Sequence, residues 1–331
     1  MAKTANKPIT IVTGAAGMIG SGVVRYLNDL GTSSLLLVDD LKSTEKWKNL
    51  LGKEFLDLIS KHALFDWLKE RGDEVGAIVH LGACSDTTEI NGDYLIENNF
   101  HYTIRLAEWA LSRNIRFVYA SSAATYGDGT LGFDDNEDAI SELRPLNLYG
   151  YSKQLVDLWM KRVGAFSRAV GLKYFNVFGP NEYHKGKMAS MVLKMAHKAK
   201  TDGAIQLFQS NHPNFKDGEQ QRDFIYVKDA VRATCNFLLP QYQSTGGLFN
   251  IGRGEPGSWN QLAAALFDAL EQAAKIEYIP LPPDLSKQYQ NYTCAQMQKW
   301  RKIFSSEAPF LALPVAVKEY VREYLMKSGR W

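Results

Sequence analysis

Tyr149 and Lys153 stand four residues apart, a spacing that puts two side chains on one face of a helix. A lysine ammonium beside a phenol favours the phenolate and lowers its pKa, so such a tyrosine can serve as a base near neutral pH. With 16 tyrosines in the chain, about one Tyr-x-x-x-Lys is expected by chance, and a second exists at Tyr183/Lys187. Context separates the two. Tyr149 follows Ser122, which lies just past an apolar run at what reads as a strand carboxyl end, where open α/β sheets bind ligands. Tyr183 lies in a segment flanked by Gly and Pro. Beside a nicotinamide, Ser122, Tyr149 and Lys153 make a hydride-transfer site. The serine orients the substrate oxygen, the tyrosine moves its proton, and the lysine tunes the tyrosine and holds the ribose. The plainer alternative is that Tyr149 and Tyr151 only pack.

Thr13-Gly14-Ala15-Ala16-Gly17-Met18-Ile19-Gly20 follows a β-branched run and opens a helical stretch. Glycine patterns are common, but strand, tight turn and helix in this order form the dinucleotide fingerprint. Gly14 makes the turn, Gly17 lets backbone approach a pyrophosphate, and Gly20 lets helix and strand pack closely; the helix N-terminus then faces the phosphates. Asp39 stands nineteen residues past Gly20, at the end of the second apolar run, where the ribose-binding acid belongs. An acid there favours NAD, yet Lys42, Lys46 and Lys48 follow closely and could neutralise the 2′-phosphate of NADP. On the residues alone, the choice between NAD and NADP stays open, and surface lysines are most often simply solvated.

These residues need a scaffold. Short apolar runs at 9–12, 35–38, 77–80, 117–120 and 172–175 are too short for helices and read as strands buried on both faces. Helical stretches at 104–112 and 155–166 lie between them. The alternation predicts an α/β chain: a Rossmann-type doubly wound parallel sheet with a smaller α/β C-terminal substrate domain. Residues 1–175 make the dinucleotide-binding domain, with a return segment near 222–255, and 176–331 are mainly the substrate domain. In that second part, helices are expected at 188–200, 227–239, 262–273 and 315–326, and strands at 205–208, 248–251 and 276–279. The polar stretch 211–221 reads as a surface loop.

Composition narrows the classes. The 331 residues are 45% hydrophobic and 22% charged, ordinary for a globular chain and wrong for a disordered one. Lys+Arg is 38 and Asp+Glu 36, a net charge of +2 that gives no reason to expect nucleic acid or an acidic membrane as partner. No apolar run reaches the roughly eighteen residues a transmembrane helix needs, and the N-terminal residues lack the pattern of a secretory signal. Cys84, Cys235 and Cys294 are odd in number and far apart, which reads as reduced thiols in the cytoplasm. His184 has no second histidine at metal spacing, so no metal is expected.

The glycine loop, His80-Leu81-Gly82-Ala83, Ser121-Ser122-Ala123, the 149–153 pair, Tyr174-Phe175-Asn176-Val177-Phe178-Gly179-Pro180 and Arg222-Asp223-Phe224-Ile225-Tyr226-Val227 together resemble the extended short-chain dehydrogenase/reductase family over nearly the whole chain. More specific runs point to one branch: Gly82-Ala83-Cys84-Ser85-Asp86-Thr87-Thr88-Glu89, Ala120-Ser121-Ser122-Ala123-Ala124-Thr125-Tyr126-Gly127, Leu148-Tyr149-Gly150-Tyr151-Ser152-Lys153 and His184-Lys185-Gly186-Lys187-Met188-Ala189-Ser190. They are similar to the 6-epimerases of ADP-glyceromanno-heptose. The resemblance implies inversion at C6 through a transient ketone, with NADP reduced and reoxidised in place, in a homo-oligomer, by family likeness a pentamer.

Two acid/base groups are then needed, because the oxygen's proton leaves and returns at different places. Tyr149 is one, and the resemblance makes Lys185 the other; read alone, Lys185 is a solvated or phosphate-contacting lysine. The resemblance also implies cofactor contacts from Gly14, Gly17, Met18, Ile19 and Gly20, from Asp39 and Asp40, from Lys46, Lys61 and Asn98, from Leu81, Gly82, Ala83 and Ser85, and from Lys153, Val177 and Lys185. Lys46 and Lys61 tip the choice to NADP. It implies substrate contacts from Ser122, Asn176, Lys187, Lys194, Phe208, Arg222 and Tyr289. Arg222 suits phosphates, since its planar fork binds two oxygens at once; an ion pair with Asp223 or Asp229 is the structural alternative. Lys187 and Lys194 stand where the family pattern has serine and histidine, Leu81 replaces an acid, and the loop 214–221 is long. Three other activities compete. A 4,6-dehydratase needs an Asp-Glu pair after the serine, and Ala123-Ala124 cannot move a proton. A nucleotide-sugar 4-epimerase uses the same serine, tyrosine and lysine. A non-catalytic dinucleotide sensor would have no need of that intact set.

Overall fold

A computed structural model describes residues 8–283 and 289–331. In the first half, the five apolar runs become β1 (Ile9–Thr13), β2 (Leu35–Val38), β4 (Val75–His80), β5 (Arg116–Ser122) and β6 (Val170–Tyr174), and a strand not read from the sequence, β3 (Asp57–Ile59), joins them. Then follow β7 (Asn176–Phe178), β8 (Ile205–Phe208), β9 (Gln221–Arg222), β10 (Phe224–Tyr226), β11 (Gly247–Ile251), β12 (Gly257–Ser258) and β13 (Ile276–Ile279). The main sheet runs β11-β6-β5-β4-β1-β2-β3, every pair parallel. Strand order reverses between β1 and β4, and a crevice opens there at the carboxyl ends. The fold is the doubly wound α/β architecture that the alternation predicts.

Both faces are covered. On one, Val23, Val24 and Leu27 of the helix Met18–Asp29 pack with Val227, Val231 and Cys235 of the helix Val227–Cys235. On the other, Leu106, Ala107 and Ala110 of the helix Tyr102–Ser112 pack with Val156 and Met160 of the helix Leu148–Arg162. A third cluster, with Phe237, Phe249, Trp300 and Phe304, covers the β6/β11 edge. Smaller pairings lie outside the main sheet: β7 with β10 and β8 with β13, both parallel, and β9 with β12, antiparallel.

Two local features differ from expectation. β3 carries an exposed Asp57 and only three residues; an edge strand needs no continuous apolar run, so its signal is faint. The helix expected from 155 begins at Leu148, because the Asn147 side chain caps it by accepting from the Gly150 N–H at 2.8 Å. That cap brings Tyr149 into the first turn and Lys153 one turn further on. Behind the same helix lies a fully buried ion pair, Lys173 Nζ to Asp157 Oδ2 at 3.1 Å. Asp157 also accepts from the Tyr119 hydroxyl at 2.8 Å and the Ser121 hydroxyl at 2.7 Å, so helix and strand β5 are locked together next to Ser122.

Candidate active site

A cleft of about 770 Å³ opens over the carboxyl ends of β1, β4 and β5. Its floor is the glycine loop. Gly14 has φ +66°, and a Cβ there would lie 2.8 Å from the Gly82 nitrogen; a Cβ on Gly20 would lie 2.1 Å from the Gly14 oxygen. Only glycine fits at either position. The helix Met18–Asp29 starts at Gly17 with no side-chain cap, which leaves its first N–H groups to a ligand. Asp39 closes the end of the loop: Oδ2 accepts from the Ala16 N–H at 2.8 Å and Oδ1 pairs with Lys46 Nζ at 2.6 Å. A cradle that a Cβ would fill, open donors and an acid at the end of β2 fit a dinucleotide.

The loop is braced by a buried chain that sequence reading missed. The Gly82 N–H donates to Thr13 Oγ1 at 3.0 Å, Thr13 meets His80 Nδ1 at 2.7 Å, and His80 Nε2 meets Thr103 Oγ1 at 2.9 Å. Thr103 spends its own proton on the Asn99 carbonyl at 2.6 Å, so it must accept from Nε2–H, and Nδ1 accepts from Thr13. Burial first, and then the nearby Lys153, push the His80 pKa down to about 3, so the ring is a neutral strut. Asn99 continues the brace, donating to the Cys84 carbonyl and to Ser152 Oγ, both at 3.0 Å.

Ser122, at the end of β5, and Tyr149 and Lys153, on the helix behind it, line the same wall of the cleft. The Ser122 hydroxyl is hydrogen-bonded to the Tyr149 phenol. Lys153 is buried and donates to the Ala120 carbonyl at 2.8 Å. Its pKa falls to about 8 because burial disfavours the ammonium, with Asp157 opposing. The expectation of a lowered tyrosine pKa is corrected here. Enclosure raises the Tyr149 pKa, and the Ser122 hydrogen bond is what opposes it. Lys153 spends its hydrogen bond on backbone, one turn away.

The facing wall is the turn Tyr183–Met188 and the start of the helix Met191–Asp202. It brings Lys185, Lys187 and Lys194 to the cleft, along with His184 and Ser190. Burial lowers the Lys185 pKa, Glu182 raises it and Lys194 lowers it. Lys187 reaches across to the other wall, 3.1 Å from Asp86 Oδ2 and 2.7 Å from Thr88 Oγ1. Lys194 donates to the Lys187 carbonyl at 2.6 Å. The two family-atypical lysines thus fasten the cleft mouth. Burial pushes the His184 pKa down to about 4, with Lys185 and Lys46 adding to the effect.

Of the other residues singled out from sequence, Met18, Ile19, Leu81, Gly82, Ala83, Ser85, Asn176 and Val177 line the cleft. Asp40, Lys61 and Asn98 do not; they gather beside it, with Lys61 Nζ 2.6 Å from Asn98 Oδ1 and 3.7 Å from Asp40 Oδ2. Phe208, Arg222 and Tyr289 form a second group, joined to the cleft through Trp259. Trp259 Nε1 donates to the Tyr289 hydroxyl at 3.0 Å, and Phe208 stands edge-on to Tyr289. The buried Arg222 guanidinium sits 5.1 Å from the Tyr289 ring centre and 5.6 Å from that of Trp259. Neither acid offered as its ion-pair partner takes that place. Asp223 accepts from the backbone N–H groups of Arg253, Gly254 and Ala295, and Asp229 pairs with Arg232 at 3.0 Å.

Among the described residues, no three His, Cys, Asp or Glu side chains come together to hold a metal ion, and no helix is long and apolar enough to cross a membrane.

The sequence matches the model of the NAD dependent epimerase/dehydratase family over residues 10–252. It is 46% identical to the ADP-L-glycero-D-manno-heptose-6-epimerase of Nitratidesulfovibrio vulgaris (strain DP4), over 95% of this chain and 97% of that one. To the protein of the same name from Fusobacterium nucleatum it is 44% identical, over 97% and 99%. Among solved structures, the Helicobacter pylori ADP-L-glycero-D-manno-heptose-6-epimerase superimposes with a TM-score of 0.80 at 27% identity, covering 98% of each chain.

Proposed function

The chain belongs to the NAD dependent epimerase/dehydratase family, and from that premise we propose that it is an isomerase that inverts C6 of ADP-D-glycero-D-manno-heptose to give ADP-L-glycero-D-manno-heptose. Relatives at 44–46% identity over nearly the full length carry the name of this activity, which disfavours the 4-epimerase and sensor readings. The cofactor is a nicotinamide dinucleotide, as the family description and the cradle agree. Held there, a nicotinamide would supply reversible hydride acceptance and return, with no net change of its own over a turnover.

The chain's own residues do the rest. Ser122 and Asn176 orient the sugar oxygen and the carbon that bears it. Tyr149 exchanges the oxygen's proton on one wall, backed by the Ser122 hydrogen bond and by the Lys153 ammonium one turn away. Lys185 exchanges it on the facing wall once the keto sugar has turned; burial lowers its pKa, which makes the ammonium a readier proton donor. Arg222, between Tyr289 and Trp259, takes the diphosphate, and Phe208 packs beside that pocket. A buried guanidinium with no carboxylate partner among the described residues is a natural partner for phosphate oxygens. Lys187 and Lys194 contact the substrate by leaving their present partners. NADP is the preferred cofactor, with Lys46 near its 2′-phosphate and Lys61, Asn98 and Asp40 completing the adenosine end.

Residues 1–175 with the returning 222–255 form the cofactor domain and 176–331 mainly the substrate domain, in a cytoplasmic homo-oligomer. One observation carries the reading: Tyr149 and Lys185, on different elements, line one cleft above the glycine loop. NMR of ADP-D-glycero-manno-heptose incubated with the protein tests it. The expected result is inversion at C6 with no added cofactor; an unchanged spectrum, with cofactor supplied, defeats the proposal.

A further inference from the structure

Lys185 is carried by a segment that one carboxylate holds shut. Glu182 is 0% exposed. Its oxygens accept from the Gly179 N–H at 3.4 Å, from both the N–H and the hydroxyl of Ser190, the latter at 2.6 Å, and from the Tyr320 hydroxyl at 3.0 Å. Gly179 and Ser190 are the two ends of the segment, so the carboxylate closes it into a loop. Tyr320, from the helical turn Tyr320–Leu325, ties that loop to the core.

The loop's backbone is itself under constraint. Asn181 holds φ +72°, a region that residues with a Cβ rarely enter. The Lys185 N–H donates back to the Glu182 carbonyl at 2.9 Å. Such a turn persists where its surroundings over-determine it: the Asn181 amide donates to Ser21 Oγ and to the Trp331 carbonyl and its Oδ1 accepts from the Trp331 N–H, while Glu182 ties the two ends of the segment.

The charges around Lys185 are few. Glu182 lies on its own turn, Lys194 comes from the helix Met191–Asp202, and His184 sits beside it, facing Lys46 and Asp39. Of these, Glu182 is the one whose charge favours the ammonium.

We propose that Glu182 is the positioning residue for Lys185: its buried carboxylate ties both ends of the segment, fixes the turn that presents the amine to the cleft, and places a negative charge on that same turn. This rests on the reading of Lys185 as the second acid/base group. It assigns the tuning of that group to a residue that never touches substrate.

Glu182→Gln preserves shape and removes the charge; Glu182→Asp preserves the charge and shortens the reach. The pH dependence of C6 inversion is measured for both, with Lys185→Met identifying the limb that belongs to Lys185. The Lys185 amine is titrated separately by ¹⁵N NMR in the cofactor-loaded protein. Glu182→Gln is expected to lower kcat tenfold or more with KM within about twofold, and to move the Lys185 limb and its NMR titration down by about half a pH unit or more. Glu182→Asp restores the titration but not the rate, because the shorter chain cannot span both ends of the loop. If Gln does not fold, Ser190→Ala, which opens one end without leaving a buried charge unpaired, lowers kcat several-fold. An unmoved titration in Glu182→Gln, or one displaced equally in Asp, overturns the proposal. An inactive wild type would instead sink the reaction assigned above, while the titration would still decide on Glu182.

Discussion

Lys46 Nζ lies 2.6 Å from Asp39 Oδ1, on a carboxylate whose other oxygen already holds the Ala16 N–H. In dinucleotide folds an acid at this position usually receives the ribose 2′-hydroxyl and repels a 2′-phosphate. Here a cation masks that repulsion. Lys46→Ala is expected to weaken NADP binding about tenfold, the loss of one charge-assisted contact, and to leave NAD binding equal or stronger. Isothermal titration of cofactor-free protein with each nucleotide checks this; equal losses for both would remove Lys46 from the 2′ site.

Tyr149→Phe keeps the ring and loses the proton carrier. C6 inversion should fall by about 10² to 10⁴-fold, the range for a positioned acid/base group. Cofactor content after purification should not change, since Lys153 and the glycine loop are intact. Full turnover by the variant would transfer the role to another group.

Lys153 imposes a pH dependence on stability. Its folded pKa is about 8, against an ordinary value of 10.5. Between those values the unfolded chain binds more protons than the folded one, so stability rises with pH across that window. Below pH 8 the buried ammonium costs on the order of 3 kcal/mol, and by pH 10 most of that cost is gone. In urea unfolding of cofactor-free protein, wild type should therefore gain on Lys153→Met between pH 7.5 and 10. A constant difference would show that the amine is not depressed.

Lys173→Met takes the ammonium away from Asp157 and leaves that carboxylate in the core with the Tyr119 and Ser121 hydroxyls. The expected loss is about 3–5 kcal/mol in chemical denaturation, as for one side of a buried pair. Because Asp157 also holds Ser121, next to Ser122, activity should fall even in the folded fraction. A loss under about 1 kcal/mol would mean that water or rearrangement reaches the site.

The parts of this protein that the amino-acid order determined are those governed by local geometry. Gly14 and Gly20 announce the cradle because no other residue fits those backbone positions, and the four-residue step from Tyr149 to Lys153 guarantees a shared helix face wherever that helix is packed. The runs that became β1, β2, β4, β5 and β6 are legible because strands buried on both faces admit almost nothing polar.

What tertiary structure decided are the pairings between residues distant in sequence and the electrostatics they create. Nothing near Arg222 in the chain says that both candidate acids are engaged elsewhere and that Tyr289 and Trp259 flank it instead. Nothing near Tyr149 says that enclosure outweighs its hydrogen bond from Ser122. Tyr320 reaches Glu182 across more than a hundred residues, and only the folded chain buries that carboxylate between the ends of its own segment. Burial and long-range contact set the free energy of a charge, and neither is written in the spacing of its neighbours.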